Sequence, residues 1–211
     1  MSDRPAPQIS SRKQPKQARS TELVAAVLEA AIQVLAKEGA SRFTVARVAE
    51  KAGVSVGSVY QYFPNKAAIL FRLQSDEWRE TSALMRGILE DASQLPLARL
   101  RSLVHAFIQS ECDEAQMRVA LNDAAPLYRD APEMHEIRAS SEQAVEAFMR
   151  VVLPSATEPT RRLAGDLITT ALSTVGKQFS ESPRSPDEIE AYAHAMADMF
   201  CAYLNELNRP R

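Results

Sequence analysis

Between Thr44 and Phe63 the chain sets Ala49 and Gly53 four residues apart inside a frame of apolar residues, Val48, Val54, Val59 and Tyr62. A small residue where two helices cross lets their axes approach. A glycine at the turn accepts a positive φ without steric cost. This window therefore specifies two short helices joined by a tight turn. Thr44 can cap the first of them, with Arg47 rather than Glu at the third position, so no full capping box forms. Val45, Val48, Ala49 and Ala52 give that helix its apolar face, and Gly53 breaks it. The plainer alternative is a helical hairpin inside an all-α core, which shares the same spacing.

The rest of the chain is also patterned as helix. There is no sustained alternation of β-branched residues and no Asn-Gly or Asp-Gly hairpin signal. Ser20 can cap a first helix carrying Leu23, Val24, Val27, Ala31 and Leu35, with Gly39 at its stop. Val56 to Phe63 reads as a two-turn helix ended by Pro64. Asn65 can cap a fourth helix, running to about Glu90 through Ile69, Leu70, Leu73, Leu84, Ile88 and Leu89. Further helices are expected from Pro96 to about Cys112, near Glu114 to Asn122, from Glu133 to Leu153 and from Pro159 past Val175. A last one is striped by Ile189, Tyr192, Met196, Phe200, Tyr203 and Leu207. The expected fold class is all-α, with about nine helices.

Charge divides the chain. The first 66 residues carry a net of +5 and the remainder −7, within a total of −2. Such halves suggest a nucleic-acid-facing part and a part with another task. Met1 to Arg19 is polar and basic, without the apolar stretch of a signal peptide. Leu23 to Ala36 is interrupted by Glu29 and Gln33, so no membrane span is expected. Cys112 and Cys201 form no close pair, and reduced thiols in a cytoplasmic protein are the expectation.

The second helix of the pair is placed to enter a major groove with its N-terminal part, Ser55, Val56, Gly57 and Ser58, whose small side chains allow close approach. Tyr60, Gln61 and Tyr62 suit phosphates and base edges, Gln61 being able to pair with adenine. Lys66 suits a phosphate. Arg12, Lys13, Lys16 and Arg19 form a basic arm able to reach backbone or minor groove, or simply a solvated tail.

The run Thr44-Val45-Ala46-Arg47-Val48-Ala49-Glu50-Lys51-Ala52-Gly53-Val54-Ser55-Val56-Gly57-Ser58-Val59-Tyr60-Gln61-Tyr62-Phe63-Pro64-Asn65-Lys66 resembles the DNA-binding domain of the tetracycline-repressor (TetR) family. The resemblance covers about Ser20 to Phe71. It implies a three-helix helix-turn-helix domain joined to a larger helical domain that dimerises and binds a small effector. It assigns Thr44, Tyr60, Tyr62 and Lys66 to phosphate contacts, and Val56, Gly57, Ser58 and Gln61 to the bases or beside them. Ala46 and Val56 are apolar where many members carry long polar residues. Base reading is therefore expected to lean on Arg47, Gln61, Tyr62 and thymine-methyl contacts.

The domain expectation follows: 1–19 a flexible basic arm, 20–66 the DNA-binding domain, 67–211 the effector-binding and dimerisation domain, with 66–90 a linker helix. The expected partners are double-stranded DNA, a second copy of the chain through the last two long helices, and an unidentified small-molecule effector, with no membrane. Ala164, Gly165, Thr169, Ala171, Ser173 and Gly176 are small enough for close helix approach at such an interface. The last helix offers it Tyr192, Met196, Met199, Phe200 and Tyr203. Phe107, Met117, Tyr128, Phe148 and Met149 are candidates to line an effector pocket, although apolar residues of this kind are more often core. The acidic excess hints at a cationic ligand. His105 with Cys112, and His194 with Cys201, are each seven apart, yet His135 and scattered carboxylates do not complete a metal site. No orienting third group or oxyanion donor accompanies them. No cofactor, metal or catalytic residue is expected. The function expected is a homodimeric repressor released from a palindromic operator by its effector. The rival is a helical enzyme or ligand-binding protein without DNA function.

Overall fold

A computed structural model describes residues 18–115, 121 and 132–209, all of whose regular elements are helices. They are α1 (Ala18–Arg42), α2 (Val45–Lys51), α3 (Val56–Tyr60), α4 (Lys66–Glu90), α5 (Pro96–Asp113), α6 (Pro132–Val152), α7 (Glu158–Ser180) and α8 (Pro186–Leu207). These eight stand among the described residues. The expected helix near Glu114 to Asn122 lies almost wholly outside them. The chain forms two compact units. One holds 1–78 with 116–134, the other 79–115 with 135–211.

The first unit is organised by local backbone chemistry. α1 starts at Ala18, ahead of the expected cap Ser20, and its regular path breaks at Gly39, where φ is 72°. The Thr44 hydroxyl accepts the Arg47 N–H at 3.3 Å and so opens α2. Gly53 turns the chain at φ 67°. The Ser55 hydroxyl then accepts the Ser58 N–H at 3.0 Å, starting α3. α3 is shorter than expected and ends at Tyr60; the Tyr62 and Phe63 N–H groups both close back on the Val59 carbonyl at 3.0 and 2.9 Å. Phe63 precedes Pro64, which disfavours further helical backbone. Asn65 Oδ1 accepts the Ala68 N–H at 2.9 Å and starts α4. Val27, Phe43, Val48, Val59, Phe63 and Ile69 fill the core beneath these turns.

In the second unit α5 is central and packs on both α7 and α8. Leu100, Val104, Ile108, Phe148, Leu172 and Phe200 are among its core residues. Helix ends are closed by distant groups. Asn208 Nδ2 donates to the Val152 carbonyl at 2.8 Å, and Arg99 donates to the Leu89 carbonyl at 3.1 Å. α8 opens with a capping box. Ser185 Oγ accepts the Glu188 N–H at 3.3 Å while Glu188 Oε2 accepts the Ser185 N–H at 2.8 Å.

Two expectations are corrected. Leu84, assigned to the apolar stripe of α4, is 51% exposed. Three of the six small residues of α7, Ala164, Gly165 and Gly176, are consumed within the chain, while Thr169 and Ser173 stay exposed. A Cβ at Gly165 would lie 3.1 Å from Val145, and one at Gly176 would lie 3.0 Å from Phe107. Ala164 is fully buried, and on α8 Met196 and Phe200 are buried in the same core. These residues let helices of one chain approach one another and are not available to a second copy.

Candidate nucleic-acid interface and cavity

The geometry of α2 and α3 follows from which side chain each must bury. On α3 only Val59 is buried; Val56, Gly57 and Tyr60 are exposed, as are Ser55 and Gln61 at its two ends. Ser58 and Tyr62 are half-buried, and Thr44, Arg47 and Lys66 are exposed. The ten residues singled out in the sequence therefore all reach the surface of the first unit, and none belongs to its buried core. Gly57 is informative. Its φ is not positive, and a Cβ there would meet only Ser55 Oγ at 3.7 Å, an ordinary contact. Neither backbone strain nor packing within the chain requires glycine. What its hydrogen side chain does is leave bare backbone on an exposed helix face.

The hydroxyls are partly committed. Thr44 Oγ1 serves as cap acceptor, which leaves its hydrogen free to donate outward. Ser55 and Ser58 hydroxyls bond each other at 2.8 Å. Arg47 is the most engaged within the chain. Its guanidinium makes an ion pair with Glu38 and donates to the Arg42 carbonyl at 3.4 Å. Sequence reasoning missed Glu38, which is nine residues away across the break at Gly39. Reading a base with Arg47 would first require breaking this pair.

The second unit contains a cavity of about 300 Å³, enough for a small organic molecule. Of the five residues proposed from sequence, Phe107, Phe148 and Met149 line it; Met117 and Tyr128 lie outside the described residues. Sequence reasoning missed its polar lining: Thr81, Ser82 and Arg86 on α4, Ser141 on α6, and Thr169 and Ser173 on α7, the last two expected at a helix interface instead. Ser141 donates to Ser82 Oγ at 3.0 Å, and Arg86 donates to the hydroxyl of Ser140 at 3.3 Å. The available signal was the spacing of Ser82 and Arg86, four apart and so on one helix face.

The cysteine and histidine pairs do not assemble into chemistry. Burial pushes both thiols above their ordinary value, with Asp113 adding to the effect at Cys112 and Asp198 at Cys201. Such thiols hold little thiolate. His105 Nδ1 meets Glu190 at 3.3 Å, His194 meets Asp198 at 3.6 Å, and the two rings stand edge to face at 6.1 Å. Among the described residues no group of three or more His, Cys, Asp or Glu is arranged to hold a metal ion. None of the helices there is long and apolar enough to cross a membrane.

Residues 27–73 match the bacterial regulatory proteins of the tetR family. Residues 95–207, more than half of the chain, match the tetracyclin-repressor-like C-terminal domain. A nucleoid occlusion factor of Vibrio campbellii is 36% identical over 85 residues, which are 39% of this chain and 42% of that protein. The chain thus spans less than half the length of the first curated relatives it matches. Among solved structures, the fatty acid degradation regulator FadR of Bacillus halodurans superposes with a TM-score of 0.67 at 18% identity, covering 89% of this chain and 96% of that one. The transcriptional regulator FadR of Bacillus subtilis, solved in complex with stearoyl-CoA, gives 0.65 at 16% identity, covering 83% and 96%. At such identities these two establish a shared fold.

Proposed function

The chain belongs to the tetR family of bacterial regulatory proteins, and we propose that it is a transcription regulator that binds duplex DNA as a homodimer and is released by a small molecule. The observation that carries this is the outward face of α3. Five residues from Ser55 to Gln61 are exposed around a single buried anchor, Val59, and one of them is a glycine that the fold does not require. A short helix held by one apolar side chain and bare on its other faces suits insertion into a major groove. In this reading Thr44, Tyr60, Tyr62 and Lys66 hold phosphates. Ser55, Val56, Gly57, Ser58 and Gln61 face the bases. Arg47, tied to Glu38, fixes α2 and reads no base. Arg12, Lys13 and Lys16, which lie outside the described residues, and Arg19 at the start of α1 add contacts to the DNA backbone.

A single α3 offers few base contacts, and a two-fold dimer doubles them on a palindromic site. The surface of α7 that suits a second copy excludes the buried Ala164, Gly165 and Gly176 and centres on its exposed apolar residues, Leu163 (64% exposed) and Leu167 (51%). On α8 the matching residue is Met199 (55%), flanked by exposed Ala191, Ala195 and Ala202. The cavity among α4, α5, α6 and α7 is the effector site, and the Bacillus subtilis relative holds its stearoyl-CoA in a protein of the same fold. An effector acts by binding the DNA-incompetent arrangement more tightly than the competent one. The regulator acts on DNA in the cytoplasm, as a repressor and not as an enzyme.

The test is selection of bound sequences from random duplex DNA with the full chain, repeated with Gln61→Ala and Lys66→Ala. A palindromic site is expected. Gln61→Ala should relax its sequence at one position per half-site, and Lys66→Ala should weaken all sites alike and flatten the salt dependence. Recovery of no palindrome from a dimeric protein overturns the reading. Leu163→Glu with Leu167→Glu should give a folded monomer by analytical ultracentrifugation.

A further inference from the structure

The cavity of the second unit is polarised, and its polarity has a sign. Among its described lining residues Arg86 is the one charged side chain, and no carboxylate lines it. Arg86 is exposed, donates to Ser140 Oγ, and has no ion-pair partner among the described residues. One turn away on the same face of α4, Ser82 accepts from Ser141. These polar groups cluster where α4 and α6 meet. The other walls are apolar, with Leu100, Leu103 and Phe107 from α5, Phe148 from α6, and Ile168 and Leu172 from α7. Thr169 and Ser173 also line it, but their hydroxyls donate to the Gly165 and Thr170 carbonyls of their own helix, so they offer the cavity no proton.

An unpaired guanidinium at one end of an apolar pocket repels a cation and leaves a neutral ligand without a partner for its charge. A carboxylate satisfies it through a charge-assisted, two-pronged bond. Size limits the remainder of the ligand. About 300 Å³, at roughly 30 Å³ for each water-sized unit, holds about ten non-hydrogen atoms. We propose that this cavity binds a medium-chain aliphatic carboxylate of about eight to ten carbons, its head group on Arg86 and its tail against Leu103 and Phe148. This rests on the reading of the second unit as the effector domain. It also replaces the cationic ligand hinted at by the acidic excess, whose carboxylates lie elsewhere than in the cavity lining.

Isothermal titration of the full chain below micellar concentrations compares decanoate, 1-decanol, decylamine and palmitate. Decanoate is expected to bind about tenfold more tightly than decanol, the margin of one charge-assisted contact at an exposed site. Decylamine should bind more weakly than decanol, and palmitate more weakly than decanoate. Arg86→Gln should erase the advantage of decanoate over decanol and leave decanol binding in place. Ala144→Phe, which fills the cavity, should abolish both. Decylamine binding as well as decanoate, or decanoate binding untouched by Arg86→Gln, overturns the proposal. So does the absence of binding by a protein whose circular dichroism and thermal unfolding are native. Gel shifts on the selected operator read the other question separately. Decanoate binding without loss of operator affinity overturns the effector role and leaves the ligand class standing. Decanoate binding by a protein that holds no operator overturns the regulator reading alone.

Discussion

Gly53 and Gly176 are both required by the structure, for opposite reasons. Gly53 sits at φ 67°, where an L side chain is strained, yet nothing lies within 4 Å of where its Cβ would be. Gly176 sits in an ordinary helix, and a Cβ there would lie 3.0 Å from Phe107 and 3.2 Å from Ile108. In the first unit, residue type is dictated by the conformation of its own backbone. In the second it is dictated by a helix far away in sequence. The first arrangement builds a small precise surface from short elements. The second lets α5, α6 and α7 approach closely in some places and stand apart in others, which is how a core comes to contain a cavity.

The contrast concerns glycines and caps, and should vanish for core side chains. Phe63 in the first unit is 1% exposed and Phe200 in the second is 3% exposed. Phe63→Ala and Phe200→Ala should each cost about 3–5 kcal/mol in urea unfolding. A loss at Phe63 below about 1 kcal/mol would mean that turns and caps alone hold the first unit, and the two units would differ in their cores as well.

The next effect separates the glycines. Gly176→Ala should destabilise by about 1–3 kcal/mol through overpacking, and Phe107→Leu in the same chain should recover much of it. Gly53→Ala should cost about 1–2 kcal/mol, the strain of the left-handed region. No truncation of a neighbour should rescue it, whereas Gly53→Asn should cost less, because asparagine tolerates that backbone better. A double-mutant cycle over each site measures the coupling. Coupling at Gly53, or none at Gly176, would break the contrast.

It also accounts for what could be read from the sequence. Thr44, Gly53 and Asn65 each declare themselves because the group they serve lies within three or four residues, as in the bond from Asn65 to the Ala68 N–H. The same holds for Ser185 and Glu188, whose Ser-Pro-Asp-Glu spelling marks a capping box with its partners three residues apart. Gly165 and Gly176 looked like surface for a second copy because their partners, Val145 and Phe107, are 20 and 69 residues away. Leu84 looked like core because periodicity finds the apolar face without saying whether anything covers it. Arg86 and Glu38 are harder to read: the spacing of Ser82 and Arg86 marks a helix face but not the cavity that three other helices complete, and Glu38 meets Arg47 across a helix break.

The smallest effect tests whether a local device also carries charge. The Glu188 carboxylate accepts from the Ser185 N–H at 2.8 Å and the Ser185 hydroxyl at 3.0 Å, and these bonds hold its pKa below the ordinary 4.5. Unfolding removes both donors and returns the group to its ordinary value. Between the two values the folded chain binds fewer protons than the unfolded one, so this contribution is fully present above the ordinary value and is lost as pH falls through the lowered one. Glu188→Gln can still accept from Ser185 but carries no charge. It should therefore be less stable than the parent near neutral pH, with the gap closing in acid, read as the difference in urea midpoint between the two proteins at each pH. Groups common to both chains cancel in that difference. Because the carboxylate is fully exposed, salt should narrow the gap at neutral pH as well. A gap unchanged by acid and by salt would mean that the box works by the shape of its hydrogen bonds alone, as the cap at Thr44 does with no charge at all.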